Sequence, residues 1–203
     1  MELKHIFGPI PSRRLGTSLG IDLVPYKTCT LDCIYCECGA TTNLTTERKE
    51  YISTDEVIKE LDYFLKKEPK LDYITFSGSG EPTLHSGIGE IVDFLKENYS
   101  QYKIALLTNA TLFSSHESLI EEVNDIDLIV PSLDTVSDLL LDKINRPVKG
   151  VNTEEIIEGL NELSKNYQGE IWLEIFIIPG LNDSKAEINL FKKIINQINP
   201  ERI

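Results

Sequence analysis

Outside one short window the sequence contains no cysteine: all four lie at positions 29, 33, 36 and 38. That absence excludes a disulfide framework, which spreads its cysteines to close long loops, and leaves metal or redox chemistry for the group. There is also no run of about 18 consecutive apolar residues, and the opening MELKHIFGPIPSRR lacks the apolar stretch of a secretory signal. The chain is therefore expected to be soluble and cytoplasmic, with no membrane partner. Basic residues are in deficit: 20 Lys and Arg face 33 Asp and Glu, a formal net charge of −13. Residues 1–50 carry six of each sign, so the whole acidic excess lies in residues 51–203. Such a surface repels a phosphate backbone, which argues against strong unaided nucleic-acid binding. Neither an internal repeat nor a low-complexity tract is present.

What is present suits one domain over residues 1–203, since 203 residues with 41% hydrophobic content can bury a continuous core. Short apolar, β-branched runs alternate with amphipathic runs, the pattern of βα units and a mostly parallel sheet. After an N-terminal arm (1–17), a strand over 18–24 leads into a long loop over 25–52 that carries the cysteines. The periodicity then predicts a helix over 53–67 with Val57, Ile58, Leu61, Phe64 and Leu65 inward, opened by a Ser53–Glu56 capping box. A strand over 72–77, a helix over 86–98 with Ile88, Ile91, Val92 and Leu95 inward, and a strand over 103–108 follow. The remaining elements are a short helix over 115–123, a strand over 127–132, a helix over 153–165, a strand over 170–178 and a helix over 184–197, the last capped by Asn182 or Asp183. Beyond Asn199-Pro200 the sequence stops where another strand should begin, so a shortened chain with an open, association-prone edge is expected.

Cys29-Thr-Leu-Asp-Cys33-Ile-Tyr-Cys36 sits just after the first expected strand, where one loop can wrap three thiolates around a single cluster. Four cysteine ligands close an iron–sulfur cluster coordinatively, whereas three leave one iron open to a substrate or cofactor. Two other readings stand at this point. With Cys38 as a fourth ligand the group could bind zinc, although His5, His85 and His116 are scattered and offer no second knuckle. The cluster could also serve a non-catalytic electron carrier or scaffold.

The spacing and its flanks, GPIPSRRLGTSLGIDLVPYKTCTLDCIYC, resemble the radical S-adenosylmethionine (SAM) superfamily, and within it the Fe–S oxidoreductase branch related to wyosine-synthesis-type enzymes. The resemblance runs over nearly the whole chain. It implies a TIM-barrel-like α/β fold, a partial (β/α)6 barrel of parallel strands with its last βα unit missing from this sequence. It further implies a [4Fe–4S] cluster on Cys29, Cys33 and Cys36, SAM on the open iron, and an external flavodoxin- or ferredoxin-like reductant. Reductive cleavage of SAM would then abstract a hydrogen atom from an RNA, a peptide or a small molecule, with the substrate left open.

Further residues follow from the same resemblance. Tyr35, before the third cysteine, falls where the family packs an aromatic near the adenine, and it is equally read as a core aromatic shielding the cluster. The GSGEP segment matches the family's glycine–glutamate motif, which places Gly78, Ser79 and Glu81 toward the SAM ammonium. Asn109 ends the third of these strands in Thr-Asn-Ala, where Ala110 departs from the family's glycine. Ser132 ends the next strand, where the family directs a small polar residue toward SAM ribose or carboxylate; Asp134 is a second candidate nearby. Arg146, Glu174, and the Arg13-Arg14 pair are candidate substrate or SAM contacts, or else solvated and structural charges. No catalytic residue is assigned, and Cys38 has no assigned role.

Overall fold

A computed structural model describes residues 2–116 and 118–203. Two strands, β1 (Ile6–Ser12) and β2 (Gly16–Ile21), form an antiparallel hairpin, so the expected N-terminal arm carries a strand of its own. The sequence IFGPIPS hides it, because glycine and two prolines break any alternation of polar and apolar residues. The cysteine loop follows, holding a two-residue parallel ribbon of β3 (Thr28–Cys29) and β4 (Asn43–Leu44). Then come α1 (Thr54–Leu65), β5 (Tyr73–Phe76), a 3-10 turn at Pro82–Leu84, α2 (Ile88–Asn98), β6 (Lys103–Thr108) and α3 (Ser118–Glu122). The chain continues through β7 (Leu128–Pro131), α4 (Asp138–Ile144), α5 (Thr153–Asn166), β8 (Glu170–Ile171) and α6 (Lys185–Ile198). Residue 117, inside the helix expected over 115–123, and Met1 lie outside the described residues.

The main sheet has the order β1-β2-β5-β6-β7-β8, antiparallel at its first pair and parallel thereafter. Alternation along each strand sends Leu19, Ile21, Ile74, Phe76, Ile104, Leu106, Ile129 and Ile171 into one core with the helices. The opposite face carries Ala105, Leu128 and Val130 in a smaller cluster with Leu15. Helices on one face only is the arrangement of a barrel wall. The sheet also curls. Five flat strands from β2 to β8 would span about 19 Å, yet Arg14, in the β1–β2 turn, pairs with Glu174 beyond β8, and Leu15 packs on β6 and β7.

The helix termini correct two expected caps. Ser53 makes no side-chain cap on α1; Glu50 Oε1 instead accepts the Thr54 N–H at 2.7 Å. On α6 the cap is Ser184, whose Oγ accepts from Glu187 N at 3.2 Å. Asn182 is instead engaged in bridging the preceding segment. Of the strand expected over 170–178, Glu170–Ile171 is regular strand and parallel pairing with β7 continues to Glu174 through Trp172 N–H to the Ile129 carbonyl and Glu174 N–H to the Pro131 carbonyl; beyond it Phe176 N–H goes to Asp134 Oδ1 and Ile178 N–H to Asn182 Oδ1 instead. On the outer side of β8, Trp172 pairs in parallel with Arg202, so a further strand direction is already taken up at residues 201–202. Among the described residues no helix is long and apolar enough to cross a membrane.

His85 gives the fold a pH response. It is fully buried, with Nε2 bonded to the Ile52 carbonyl at 2.7 Å and Nδ1 accepting the Gly87 N–H at 3.0 Å. Burial holds its pKa below the ordinary value of 6.5. The unfolded chain therefore takes up the proton first, and the stability His85 contributes is present above about pH 6.5 and lost as pH falls below it. Thermal unfolding between pH 7.5 and 5.5 should show Tm falling with acidification, with a shallower fall in His85→Asn; an unchanged slope in that variant would refute the assignment.

Candidate functional site

Cys29 ends β3, and Cys33, Cys36 and Cys38 follow in the loop, all four partly exposed. The loop is pinned from several sides. Thr42 and Asn43 donate their N–H groups to the Lys27 carbonyl, Thr41 N–H bonds to Asp32 Oδ1 at 2.7 Å, and Arg48 donates to the Thr83 carbonyl at 2.8 Å while pairing with Glu122 at 2.6 Å. The thiols sit close enough to feel one another's charge: Cys33 acts on Cys29, and Cys36 on both Cys33 and Cys38. Burial pushes the Cys29 thiol up to about 12, with the neighbouring Glu81 carboxylate acting the same way. Burial likewise raises Cys33. Such thiols become thiolates when a metal replaces the proton.

Each cysteine of the triplet meets one side-chain N–H donor. Asn109 Nδ2 lies 3.5 Å from Cys29 Sγ, Asn145 Nδ2 lies 3.3 Å from Cys33 Sγ, and Lys27 Nζ lies 3.1 Å from Cys36 Sγ. Donors aimed at sulfur are the outer contacts that orient iron–sulfur ligands and tune the metal. Three cysteine sulfurs so equipped fit a cluster as their donor set. Among the described residues no three Cys, His, Asp or Glu side chains converge as ligands of a single ion; a polynuclear cluster distributes its thiolates over several metal atoms.

Beside Cys33 a small cavity of about 60 Å³ brings together Tyr35, Asn109, Ser132, Asp134 and Asn145. Five residues singled out in the sequence, Cys33, Tyr35, Asn109, Ser132 and Asp134, thus meet in one place. The space holds a polar fragment rather than a whole cofactor, which needs a few hundred Å³ (about 300 or more). Tyr35 closes it: the ring stacks on Phe176, centroids 4.2 Å apart and planes at 10°, while the hydroxyl donates to Asp134. Asp134 Oδ2 also accepts from Asn145 Nδ2 at 2.8 Å, and burial raises its pKa against these donors. Asn145 is 3% exposed and its Oδ1 has no partner among the described residues. Because Nδ2 must face the carboxylate, the amide orientation is set and the free acceptor is Oδ1.

The glycine–glutamate segment forms a turn of its own beside the cysteine loop. Gly78, Ser79 and Glu81 do not line that cavity. Gly78 has φ +145°, and a Cβ there would lie 2.3 Å from the Asp22 carboxyl carbon. Ser79 directs both its N–H and its hydroxyl to Asp22 Oδ2, at 3.0 and 2.8 Å. Glu81 is 2% exposed, and its carboxylate accepts from Thr83 N, Thr83 Oγ1, Thr108 Oγ1 and Asn109 N. A carboxylate so saturated is turned inward, so Glu81 shapes the turn and holds Asn109. The carbonyls of Gly78 and Ser79 accept no hydrogen bond among the described residues.

The other candidates fall outside this group. Arg14 and Glu174 pair with each other at a second cavity, about 340 Å³, shared with Trp172 and Arg202. Arg146 lies 3.6 Å from Asp32. A cavity of about 730 Å³ bordered by Phe113, Glu121 and Glu158 contains none of the residues above. Sequence reasoning missed Asp22 and Lys27; Asn145 stood in the Asn-Arg-Pro segment, beside the arginine that drew attention.

Gly80 brings this segment against the cysteine loop. A Cβ there would stand 2.0 Å from the Thr28 carbonyl oxygen, which accepts the Glu81 N–H at 3.0 Å. Gly80→Ala is therefore expected to push the loop away and cost about 1–3 kcal/mol, read as a lower urea midpoint together with reduced iron loading. A midpoint equal to the parent protein would show that the two segments are not in contact.

The family model described as the radical SAM superfamily matches residues 23–190. A UPF0026 protein of Methanocaldococcus jannaschii is 35% identical over 198 residues, covering 97% of this chain and 61% of its own. A UPF0026 protein of Synechocystis is 33% identical over 199 residues, covering 98% and 73%. A Brachyspira hyodysenteriae protein named GTPase Obg is 38% identical over 203 residues, 100% of this chain but 30% of that one. The chain thus spans from under a third to under three quarters of these relatives. Among solved structures, TYW1 with a lysine-pyruvate adduct superposes with a TM-score of 0.63 at 16% identity, over 92% of this chain and 64% of that one. Native anSMEcpe with bound AdoMet and a Cp18Cys peptide gives 0.64 at 21%, over 91% and 49%. These two likenesses establish the fold.

Proposed function

Given that the chain belongs to the radical SAM superfamily and is accordingly a radical SAM enzyme, we propose that Cys29, Cys33 and Cys36 hold a [4Fe–4S] cluster by three of its irons and leave the fourth to SAM. The single observation that supports this most is the three-cysteine loop in which each sulfur meets its own side-chain N–H donor. A bound cluster and SAM would supply one-electron reduction at the sulfonium and abstraction of a hydrogen atom from the substrate. Asn109 and Asn145 orient two of the thiolates. The Tyr35–Asp134–Asn145 network forms the wall beside Cys33. Ser132, whose hydroxyl makes no hydrogen bond among the described residues, and the orphan Asn145 Oδ1 are a donor–acceptor pair for a polar group of SAM. The carbonyls of Gly78 and Ser79 are the acceptors that suit its ammonium, with Glu81 holding the turn. The Tyr35–Phe176 stack offers an aromatic surface of the kind an adenine packs on.

A flavodoxin- or ferredoxin-like donor supplies the electron, which places the protein in a reducing, cytoplasmic setting where thiols stay free. The substrate is an RNA, a peptide or a small molecule; an acidic chain at net charge −13 favours one that does not depend on a basic phosphate-binding surface. The test is anaerobic reconstitution, reduction with dithionite and addition of SAM, with 5′-deoxyadenosine as the expected product. Spectra of the reconstituted protein lacking a [4Fe–4S] signature, or a cluster ligated by protein at all four irons, would overturn the reading.

A further inference from the structure

The three donors that meet the cysteine triplet are not equivalent. Asn109, after β6, and Asn145, after α4, bring neutral amides, whereas Lys27 brings a cation from within the loop itself. Lys27 is 2% exposed, and its ammonium lies 3.1 Å from Cys36 Sγ. Among the described residues no carboxylate comes within salt-bridge distance of it. A buried ammonium is strongly disfavoured unless an anion faces it, and the groups facing this one are cysteine sulfurs. The lysine also has φ +54°, a left-handed conformation, while its carbonyl accepts the N–H groups of Thr42 and Asn43 at 3.1 and 3.0 Å. Glycine makes such a turn with less strain, so the turn by itself does not account for a lysine side chain there.

Resting on the cluster assignment above, we propose that Lys27 is a positioning residue whose fixed positive charge beside Cys36 raises the reduction potential of the cluster. Reduction adds one electron from the external donor and makes the cluster more negative. A cation held in contact, away from bulk water, stabilises that reduced state more than the oxidised one. The proton on Lys27 stays in place throughout, and no bond to the lysine forms or breaks. Because the charge is buried, salt screens the effect little.

The experiment compares the parent protein with Lys27→Met, Lys27→Gln and Lys27→Arg, each reconstituted without oxygen, by iron and sulfide content and by redox titration monitored by electron paramagnetic resonance. Lys27→Met, close in length and volume, is expected to keep its cluster but to shift the oxidised-to-reduced ratio at a fixed poise at least tenfold toward oxidised, about 59 mV for one electron. Lys27→Arg, which keeps the charge, is expected to stay within about threefold of the parent, a fraction of that shift. A fully loaded Lys27→Met with the parent's midpoint overturns the proposal. So does loss of the cluster from both neutral variants with retention in Lys27→Arg, because the lysine then serves assembly rather than potential. A parent protein that forms no [4Fe–4S] cluster refutes the functional reading instead, so the two failures are told apart.

Discussion

Cys33→Ala is expected to abolish the [4Fe–4S] signature on reconstitution and to reduce 5′-deoxyadenosine formation to the level of a protein-free control. Three thiolates anchor the cluster and leave one iron open, and removing the middle one leaves two attachment points on a loop whose remaining donors face other sulfurs. Cys33 is also the sulfur tied to the cavity, through Asn145 and so to Asp134 and Tyr35. Two companion variants grade the effect. Asn145→Ala removes the outer donor to Cys33 together with the Oδ1 acceptor proposed for SAM, and should weaken cluster retention or turnover by about 10–100-fold. Cys38→Ala should leave iron content unchanged, since the proposal leaves Cys38 out of the ligand set. Full iron and product in Cys33→Ala, with iron lost from Cys38→Ala, would require a different triplet.

Glu81→Ala should cost about 3–5 kcal/mol of folding stability, before any effect on SAM is read. Its carboxylate satisfies two backbone donors, Thr83 N at 3.1 Å and Asn109 N at 2.8 Å, and two hydroxyls, Thr83 Oγ1 at 2.6 Å and Thr108 Oγ1 at 2.7 Å. Alanine orphans both N–H groups in a site that water does not reach, at about 1–3 kcal/mol each, and adds a void. The hydroxyls can rotate toward other acceptors; the amides cannot. Glu81→Gln keeps one acceptor oxygen and should recover part of the loss. Urea unfolding of the apoprotein measures this directly, because it involves neither cluster nor cofactor. An apoprotein of Glu81→Ala as stable as the parent, but binding SAM weakly when loaded, would restore the direct contact with the ammonium that the glycine–glutamate motif implies.

Sequence periodicity located most elements because their determinants are local. KIALLT was expected as a strand over 103–108 and is β6, Lys103–Thr108; Ile88, Ile91, Val92 and Leu95 were expected inward on their helix and are all buried. Where local signals compete, the reading diverged. Ser53 and Glu56 spell a capping box, yet Glu50 reaches the first helical N–H, a contact available only through the path of the preceding loop. The seven-residue α4 was not anticipated; helices that short are stabilised by packing rather than by propensity. The hairpin strand β1 was also missed, and its register depends on Phe7 lying over Gly20, where a Cβ would meet the ring at 2.1 Å.

By itself the sequence determined the alternation of strands and helices and the spacing of the three cysteines, because both depend on residues a few positions apart. Tertiary structure alone decided which groups meet the sulfurs and which way Glu81 faces. Asn109 reaches Cys29 across 80 residues and Asn145 reaches Cys33 across 112, contacts that no local pattern encodes. A hydrogen bond to sulfur exists only once curled strands and packed helices have brought distant loop ends within about 3–4 Å; until then an asparagine in a turn is one among many.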